Sequence, residues 1–445
     1  MLPELLPRPA PIGPDEYRQR REALMAQLPP NAAMLIPGAS LVTRSHDSEY
    51  RFRQQSDFYY LTGLQEPDGL LVLLPGRAEG SSVVFCQDRD PTLEAWTGRR
   101  LGAGGVEQQL GVDQAFENAQ RDVQLAALLD GRELLYAPLD NPEATSLLEE
   151  ALAQAQAGVR RGKPALKGWL DCRPLIHEMR LIKSPGEIAL LRHAAAISAQ
   201  AHVRAMRTCQ AGVYEYQLQA ELEHAFMWQG ASGPAYSTIV GGGANACVLH
   251  YIENSDALEA GALVLIDAGA EFDLYAGDIT RTFPVSGRFS DAQRALYQVV
   301  LEAQERAVNA VAPGATLADI HHGVVHDLTK GLIDLGLLEG EVQARIDDES
   351  YRRFYLHSTS HWLGLDVHDV GTYRLDENTP RPLAPGMVLT IEPGLYIPCD
   401  DDIPTAYRGI GIRIEDNVVV TALGGEVITE GVPKQVEAIE QLMAK

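Results

Sequence analysis

Gly261-Ala-Leu-Val-Leu-Ile-Asp267-Ala-Gly269 and Gly386-Met-Val-Leu-Thr-Ile-Glu392-Pro-Gly394 are near copies of one another, and each carries one carboxylate at the same place. Both read as a buried apolar strand, entered and left through glycine, with an acid near its exit. A lone acid in an apolar strand is costly unless something cationic meets it. Two such acids on related strands point to one shared cationic partner, and a metal ion is the simplest. More donors follow: Asp278 in Ala-Gly-Asp-Ile-Thr-Arg-Thr, His361 in Ser-His-Trp-Leu-Gly, and Glu415 in Gly-Ile-Arg-Ile-Glu-Asp. Four carboxylates and one imidazole nearly balance two divalent ions.

Spacing sharpens this. Asp267 and Asp278 lie eleven residues apart, with Phe272-Asp273 midway. A hairpin of 263–268 with 275–285, turning at that midpoint, puts the two acids roughly opposite each other. Facing residues have Cβ atoms about 4.5–5.5 Å apart, which suits carboxylates holding two ions about 3.5–4 Å from each other. Glu392 and Glu415 belong to another strand pair with a longer excursion, 396–408. Ligation dominated by oxygen with one imidazole favours manganese, with cobalt, iron or zinc as substitutes, over a structural zinc.

The rest of the chain frames the site. Its 445 residues exceed one ordinary core, so two domains are expected, 1–174 and 175–445. The first alternates short strand-like runs (33–36, 69–74, 82–85, 133–137) with helical stretches (14–27, 142–156), an α/β pattern. The basic stretch 158–167 reads as a connector. In the second, Ser184-Pro-Gly-Glu187 is a capping box starting a helix to about Cys209, and Ser290-Asp-Ala-Gln293 starts another that ends near Pro313. Helix and strands, then helix and strands again, with the repeated strand in each half, describe an α+β domain duplicated internally about a pseudo-two-fold. A formal charge of −24 disfavours nucleic acid and anionic membrane as partners. No apolar run reaches the length of a membrane span, and the start of the chain lacks a signal pattern. Cys86, Cys172, Cys209, Cys247 and Cys399 are scattered, without Cys-x-x-Cys spacing, so a reducing cytoplasm is the expected location.

Two motifs invite other chemistry. His322 and His326 have ligand spacing on a helix, but no Glu follows His322 as in His-Glu-x-x-His, so His321, His322 and His326 are taken as a polar helix face. Gly241-Gly-Gly243 lacks the Gly-Lys-Ser/Thr of a phosphate loop and is taken as a tight turn.

Leu-Ile-Asp267-Ala-Gly, Ala-Gly-Asp278-Ile-Thr-Arg-Thr-Phe-Pro, His361-Trp-Leu-Gly-Leu-Asp-Val-His368-Asp, Ile-Glu392-Pro-Gly and Arg413-Ile-Glu415-Asp together resemble the pita-bread metallopeptidases. Within them the chain is most similar to the bacterial aminopeptidase P (Xaa-Pro aminopeptidase) family, nearly throughout: Asp47–Gly63 resembles that family's N-terminal domain, and His177–Pro185 its junction. The resemblance implies a pita-bread catalytic domain and hydrolysis of the first bond of peptides with proline second. It implies two divalent ions, manganese by preference, held by Asp267, Asp278, His361, Glu392 and Glu415, with Asp278 and Glu415 bridging and a metal-bridging hydroxide as nucleophile. Glu392 would double as proton acceptor. His250, His357 and His368 would grip the scissile carbonyl and help the leaving nitrogen. Arg413 would buttress the carboxylates and Tyr396 would stand behind them. A homotetramer is implied too, with Trp96 reaching a neighbouring subunit. Two departures stand out: Ser358 replaces an expected glycine, and the substrate-contacting arginines fall on Arg374 or Arg381 and on Arg160 or Arg161. The alternatives are a prolidase restricted to Xaa-Pro dipeptides, and a pita-bread scaffold without catalysis. The second should lack metal ligands, and all five are present here.

Overall fold

Four of the apolar runs before residue 138 become strands of one mixed sheet. In the computed structural model, which describes residues 5–444, the strands are β1 (Ala32–Pro37), β2 (Leu70–Leu73), β3 (Ser82–Cys86), β4 (Gln114–Glu117), β5 (Leu134–Ala137) and β6 (Gly168–Asp171). Their order is β4-β3-β2-β1-β5-β6. β2 is antiparallel to β1 and β3, and the other pairs are parallel. β1, β2 and β3 are buried at every position, which is why they read as unbroken apolar runs rather than alternating ones. Helices Arg121–Leu129 and Pro142–Val159 cover one face through Leu125, Leu128, Leu147 and Leu148. The basic stretch 158–167 is not an interdomain connector. It leads from the helix Pro142–Val159 into β6, which extends the same sheet.

The chain forms two units, 11–180 and 181 onward, the second including the described residues 5–10. Their boundary falls at the end of helix Arg173–Leu181. That helix is held to the first unit by Asp57, which accepts from Arg180 Nη1 at 2.7 Å and meets His177 Nε2 at 3.3 Å.

The second unit is built twice. Helices α1 (Pro185–Thr208) and α2 (Glu215–Trp228) precede β7 (Ile239–Gly242), β8 (Leu263–Asp267) and β9 (Thr280–Pro284). Helices α3 (Asp291–Ala310) and α4 (Leu317–Asp334) precede β10 (Val388–Ile391), β11 (Gly394–Tyr396), β12 (Gly411–Arg413), β13 (Asp416–Thr421) and β14 (Gly424–Val427). Both capping boxes form, at Ser184 with Glu187 and at Ser290 with Gln293. The repeated segments become β8 and β10. Each is entered through a glycine of positive φ, Gly261 at +83° and Gly386 at +93°, a turn that a Cβ would strain. β8 lies between β7 and β9. β10 pairs with β13 on one side, and on the other a single bridge to Trp362 holds the place of β7. Gly241 and Gly242 belong to β7, so the turn expected of the glycine run starts only at Gly243.

The expected hairpin forms in two pieces. Asp273 and Leu274, both at positive φ, turn the chain between 270–272 and 275–276. The ladder then breaks at Gly269 and Gly277, where a Cβ on Gly269 would lie 1.6 Å from the Gly277 carbonyl oxygen. β8 resumes with β9 in a register that sets Asp267 opposite Thr280, not Asp278. Asp278 falls in the break, two residues further along.

Candidate metal centre

The break in the first ladder has a counterpart in the second. β10 faces β13 with Ile391 opposite Asp416, and β11 faces β12 with Gly394 opposite Arg413. Continuing that register sets Glu392 opposite Glu415. The ladder is open there because other segments take both amides: Glu392 N–H donates to the Thr359 carbonyl (2.8 Å) and Glu415 N–H to the Thr280 carbonyl (3.1 Å). Each half therefore delivers two acids where its own sheet is interrupted.

These acids meet at one end of a cavity of about 860 Å³, lined by Asp267, Asp278, Glu392, Glu415, His361 and Arg413 among others. Donor atoms of Asp278, His361 and Glu415 all lie within 4.8 Å of one another. His361 Nε2 is 3.4 Å from Asp278 Oδ2 and 3.6 Å from Glu392 Oε1. Its Nδ1 is 2.9 Å from the Trp362 carbonyl, which takes the Nδ1 proton and leaves Nε2 as the nitrogen that faces the acids. Arg413 braces the other flank: Nη2 donates to Asp267 Oδ2 (2.7 Å), Nε to Thr280 Oγ1 (3.1 Å) and Nη1 to the Tyr396 hydroxyl (2.9 Å). Thr280 in turn donates to Glu415 Oε2 at 2.6 Å.

The electrostatics ask for more positive charge than Arg413 and His361 carry. Burial raises the pKa of Asp278, and the charge of Asp267 adds to it. Burial pushes Glu392 up to about 7 against the pull of His361 and Arg413. Glu415 is pushed well above the carboxylate range by burial, then by Asp278, Glu392 and Asp267. Burial would lower His361, but its bond to Asp278 and the charge of Glu392 prevail and lift it to about 9. The Tyr236 hydroxyl lies 2.5 Å from both Asp267 Oδ1 and Asp278 Oδ1. A phenol has one proton to donate, so it satisfies one of them at a time. Buried acids this close either hold protons or hold a cation. The donor set, oxygen-rich with one imidazole, fits a divalent ion.

The other expected residues are arrayed around the cluster. His250, His357 and His368 line the cavity, and the rings of His361 and His368 stand 4.2 Å apart. His357 Nδ1 donates to the Ser358 carbonyl (2.8 Å) and Nε2 accepts from Tyr396 (2.8 Å). Burial and the neighbouring Arg413 lower its pKa to about 4. Burial, then His361, also lowers that of His368. Ser358 lines the cavity. Arg374 does too, whereas Arg381 is turned to Thr372. Trp96, Arg160 and Arg161 belong to the first unit and are exposed.

The structure also brings in residues that the sequence did not flag. Tyr236 sits in Ala-Tyr-Ser, a context with no signal. Thr280 had one: Asp278, Thr280 and Thr282 alternate, as residues on one face of a strand do. The histidine triplet on α4 needs correcting. His322 and His326 are exposed, but His321 turns inward and lines the cavity.

Comparison with known proteins agrees with this architecture. The profile of metallopeptidase family M24 matches residues 189–422, and that of the aminopeptidase P N-terminal domain matches 17–136. The chain is 48% identical to the Xaa-Pro aminopeptidase of Escherichia coli K12, over 97% of this chain and 98% of that protein. It is 35% identical to human Xaa-Pro aminopeptidase 3, over 100% and 89%. Among solved structures, Pseudomonas aeruginosa aminopeptidase PepP superposes with a TM-score of 0.96 at 48% identity, covering 98% of both chains. Zinc-substituted E. coli aminopeptidase P in complex with product gives 0.94 at 47%, covering 98% of this chain and 99% of that one.

Proposed function

The chain belongs to metallopeptidase family M24 and carries an aminopeptidase P N-terminal domain, and from that premise we propose how its acidic cavity works. The enzyme is a metal-dependent Xaa-Pro aminopeptidase, releasing the first residue of peptides whose second is proline. That activity is favoured over prolidase and over an inactive scaffold. The observation that carries the site is the cluster of Asp278, His361 and Glu415, flanked by Asp267 and Glu392, buried with more negative charge than the protein neutralises.

Asp267, Asp278, His361, Glu392 and Glu415 hold two divalent ions, and the oxygen-rich donor set supports manganese. Divalent ions there supply Lewis acidity and make water acidic enough to attack at neutral pH. Glu392, beside the bound ions, takes the proton released on attack. His250 and His368 face the substrate from the cavity wall, grip the scissile carbonyl and help the proline nitrogen leave. His357, neutral and tied to Tyr396, orders that wall. Arg413, itself held by the Tyr396 hydroxyl, aims the Asp267 carboxylate. Arg374 meets the peptide beyond the scissile bond. An X-Pro bond has no N–H, so peptidases that require that contact reject it, and recognition falls to the cavity's shape and to carboxylates that catch the free amine of residue one.

Five cysteines without a disulfide support a reducing, cytoplasmic location, and no helix among the described residues is long and apolar enough to cross a membrane. The family resemblance supports a homotetramer.

The test is release of alanine from Ala-Pro-Ala and from Ala-Pro after chelation and manganese add-back. Restored cleavage of the tripeptide is expected. Cleavage of the dipeptide alone would make the enzyme a prolidase, and cleavage of neither, with metal bound, would favour the scaffold.

A further inference from the structure

His321 takes part in no step above, yet it is the member of its triplet that leaves the surface. Leu317, Ala318 and His321 share the face of α4 that lines the cavity. The ring Nδ1 of His321 is 2.8 Å from Thr359 Oγ1, and the Tyr355 hydroxyl is 2.7 Å from the same oxygen. Tyr355 and Thr359 are each 1% exposed, so neither can turn to water if His321 is lost. The Thr359 carbonyl receives the amide of Glu392, and the preceding carbonyl, that of Ser358, receives His357 Nδ1. A single short turn thus presents His357 and His361 and pins Glu392, and His321 holds it by the Thr359 hydroxyl.

We propose that His321 is a positioning residue of the hydrolysis, fixing the 357–361 turn through Thr359. This rests on the cavity being the active site. Burial, and then the neighbouring His322 and Arg352, hold the imidazole in its neutral form, which can either donate to the threonine or accept from it. Misplacing a catalytic wall by a fraction of an ångström slows turnover without preventing substrate from entering.

The experiment is steady-state cleavage of Ala-Pro-Ala by the manganese-loaded full-length enzyme, with metal content and melting temperature measured alongside. His321→Ala should lower kcat by about tenfold to a hundredfold while KM moves by no more than about threefold, with metal content as in the parent. His321→Asn keeps a hydrogen-bonding atom near the Nδ1 position and should recover kcat to within about threefold. His321→Gln, reaching towards the Nε2 position instead, should not. Adding Thr359→Val to His321→Ala should lower kcat by less than the product of the two single losses, since both remove the same bond and Thr359→Val alone also strips the Tyr355 hydroxyl of its partner. His322→Ala should behave as the parent. Unchanged kcat in His321→Ala, equal recovery by Asn and Gln, or additive losses with Thr359→Val would each overturn the proposal. If His321→Ala does not fold, the Asn–Gln contrast decides. A parent that cleaves nothing when metal-loaded removes the active-site reading and this proposal together, whereas an active parent with an equally active His321→Ala removes this proposal alone.

Discussion

The two halves of the catalytic unit share a scaffold and differ in how they treat their acids. Asp267, at the exit of β8, is met by a buried guanidinium. Glu392, at the same place on β10, has imidazoles at 3.6 and 3.8 Å and accepts from the Thr390 hydroxyl at 3.3 Å, and the Glu415 side chain receives a threonine hydroxyl. The guanidinium that steadies the first half comes from the second, Arg413. The first half returns the favour away from the metal cluster, where Arg281 on β9 reaches Asp416 on β13 at 2.6 Å, both about 1% exposed. Duplication supplied two equivalent strand exits, and crossed arginines stitched them together. Of the four acids at the proposed metal centre, Asp267 has a guanidinium within bonding distance, and Asp278, Glu392 and Glu415 are left for the divalent ions to neutralise on that proposal.

The sharpest way to break this contrast is to neutralise acids of both halves, one at a time. Glu415→Gln and Glu392→Gln should each lower kcat/KM on Ala-Pro-Ala by at least about 10³-fold. In the metal-free protein both should raise the melting temperature, because folding at neutral pH no longer has to bury and protonate that acid. Asp267→Asn should also abolish activity, yet it should lower the metal-free melting temperature, because Arg413 loses its carboxylate. The same sign in both halves would undo the argument that only one of them is neutralised by the protein.

Next in size is the second arginine. Arg281→Met leaves Asp416 buried without its guanidinium, with Lys434 still bonded to it at 2.6 Å. Breaking a buried pair costs about 3–5 kcal/mol, read as a loss of unfolding free energy in urea. Metal affinity should change far less, since Arg281 touches the backbone carbonyl of Glu415 and not its carboxylate.

The fold was legible where burial alone decides it. β1, β2 and β3 are buried on both faces, and the repeated strands end in acids that apolar strands do not carry without cause. The capping boxes at Ser184 and Ser290 depend on residues within one turn, so local sequence sufficed. What failed was long-range. Strand β6 presents exposed Trp169 and Leu170, so its short sequence carried no buried-strand pattern, and the basic stretch before it looked like a linker. The hairpin of 263–285 looked continuous, because the close approach of Gly269 to Gly277 is a property of backbone geometry. At the site, the ligands stood in motifs, but Tyr236 and His321 are recruited by tertiary packing. His321 shares a helix with two exposed histidines, and the turn of α4 that faces the cavity cannot be told from its neighbours without knowing where the cavity lies.

The pH dependence should also divide an acid that has no arginine from one that has. Glu392 has a folded-state pKa of about 7 against an ordinary 4.5. A raised carboxyl stabilises the fold fully below about 4.5, and that contribution is lost as pH rises through 7, up to about 3 kcal/mol for this group. Asp416 is the reverse: its pKa is depressed by Arg281 and then Lys434, which overcome the opposing effect of burial, so its contribution is present above the ordinary range and lost in strong acid. Metal-free Glu392→Gln should therefore lose less stability than the parent between pH 5 and 8, and Asp416→Asn should flatten only the acid limb. On the proposed ligand set, bound metal would displace the protons of Glu392 and of His361, whose pKa is about 9, so manganese affinity measured by calorimetry should rise with pH across that range, with proton release.

The smallest effect tests the scaffold rather than the charges. Ser184 and Ser290 cap α1 and α3, the first helices of the two halves, with the same reciprocal bonds. If the halves are equivalent as scaffold and differ only in their acids, Ser184→Ala and Ser290→Ala should each cost about 1 kcal/mol of unfolding free energy, alike within error and without effect on kcat. A clearly larger cost at Ser184 would mean that its helix does more than mirror its partner. It would have a specific cause to look for, because the Glu187 carboxylate that closes that box also accepts the buried Tyr275 hydroxyl at 3.0 Å, a bond that ties α1 to the strand just before Asp278. The Ser290 box has a second bond too, from Gln293 Nε2 to the Gly261 carbonyl at 2.7 Å, but it lands at the entry of β8, far along the strand from its acid. The direction of any inequality is therefore set in advance, and it points to the half that carries the break in its ladder.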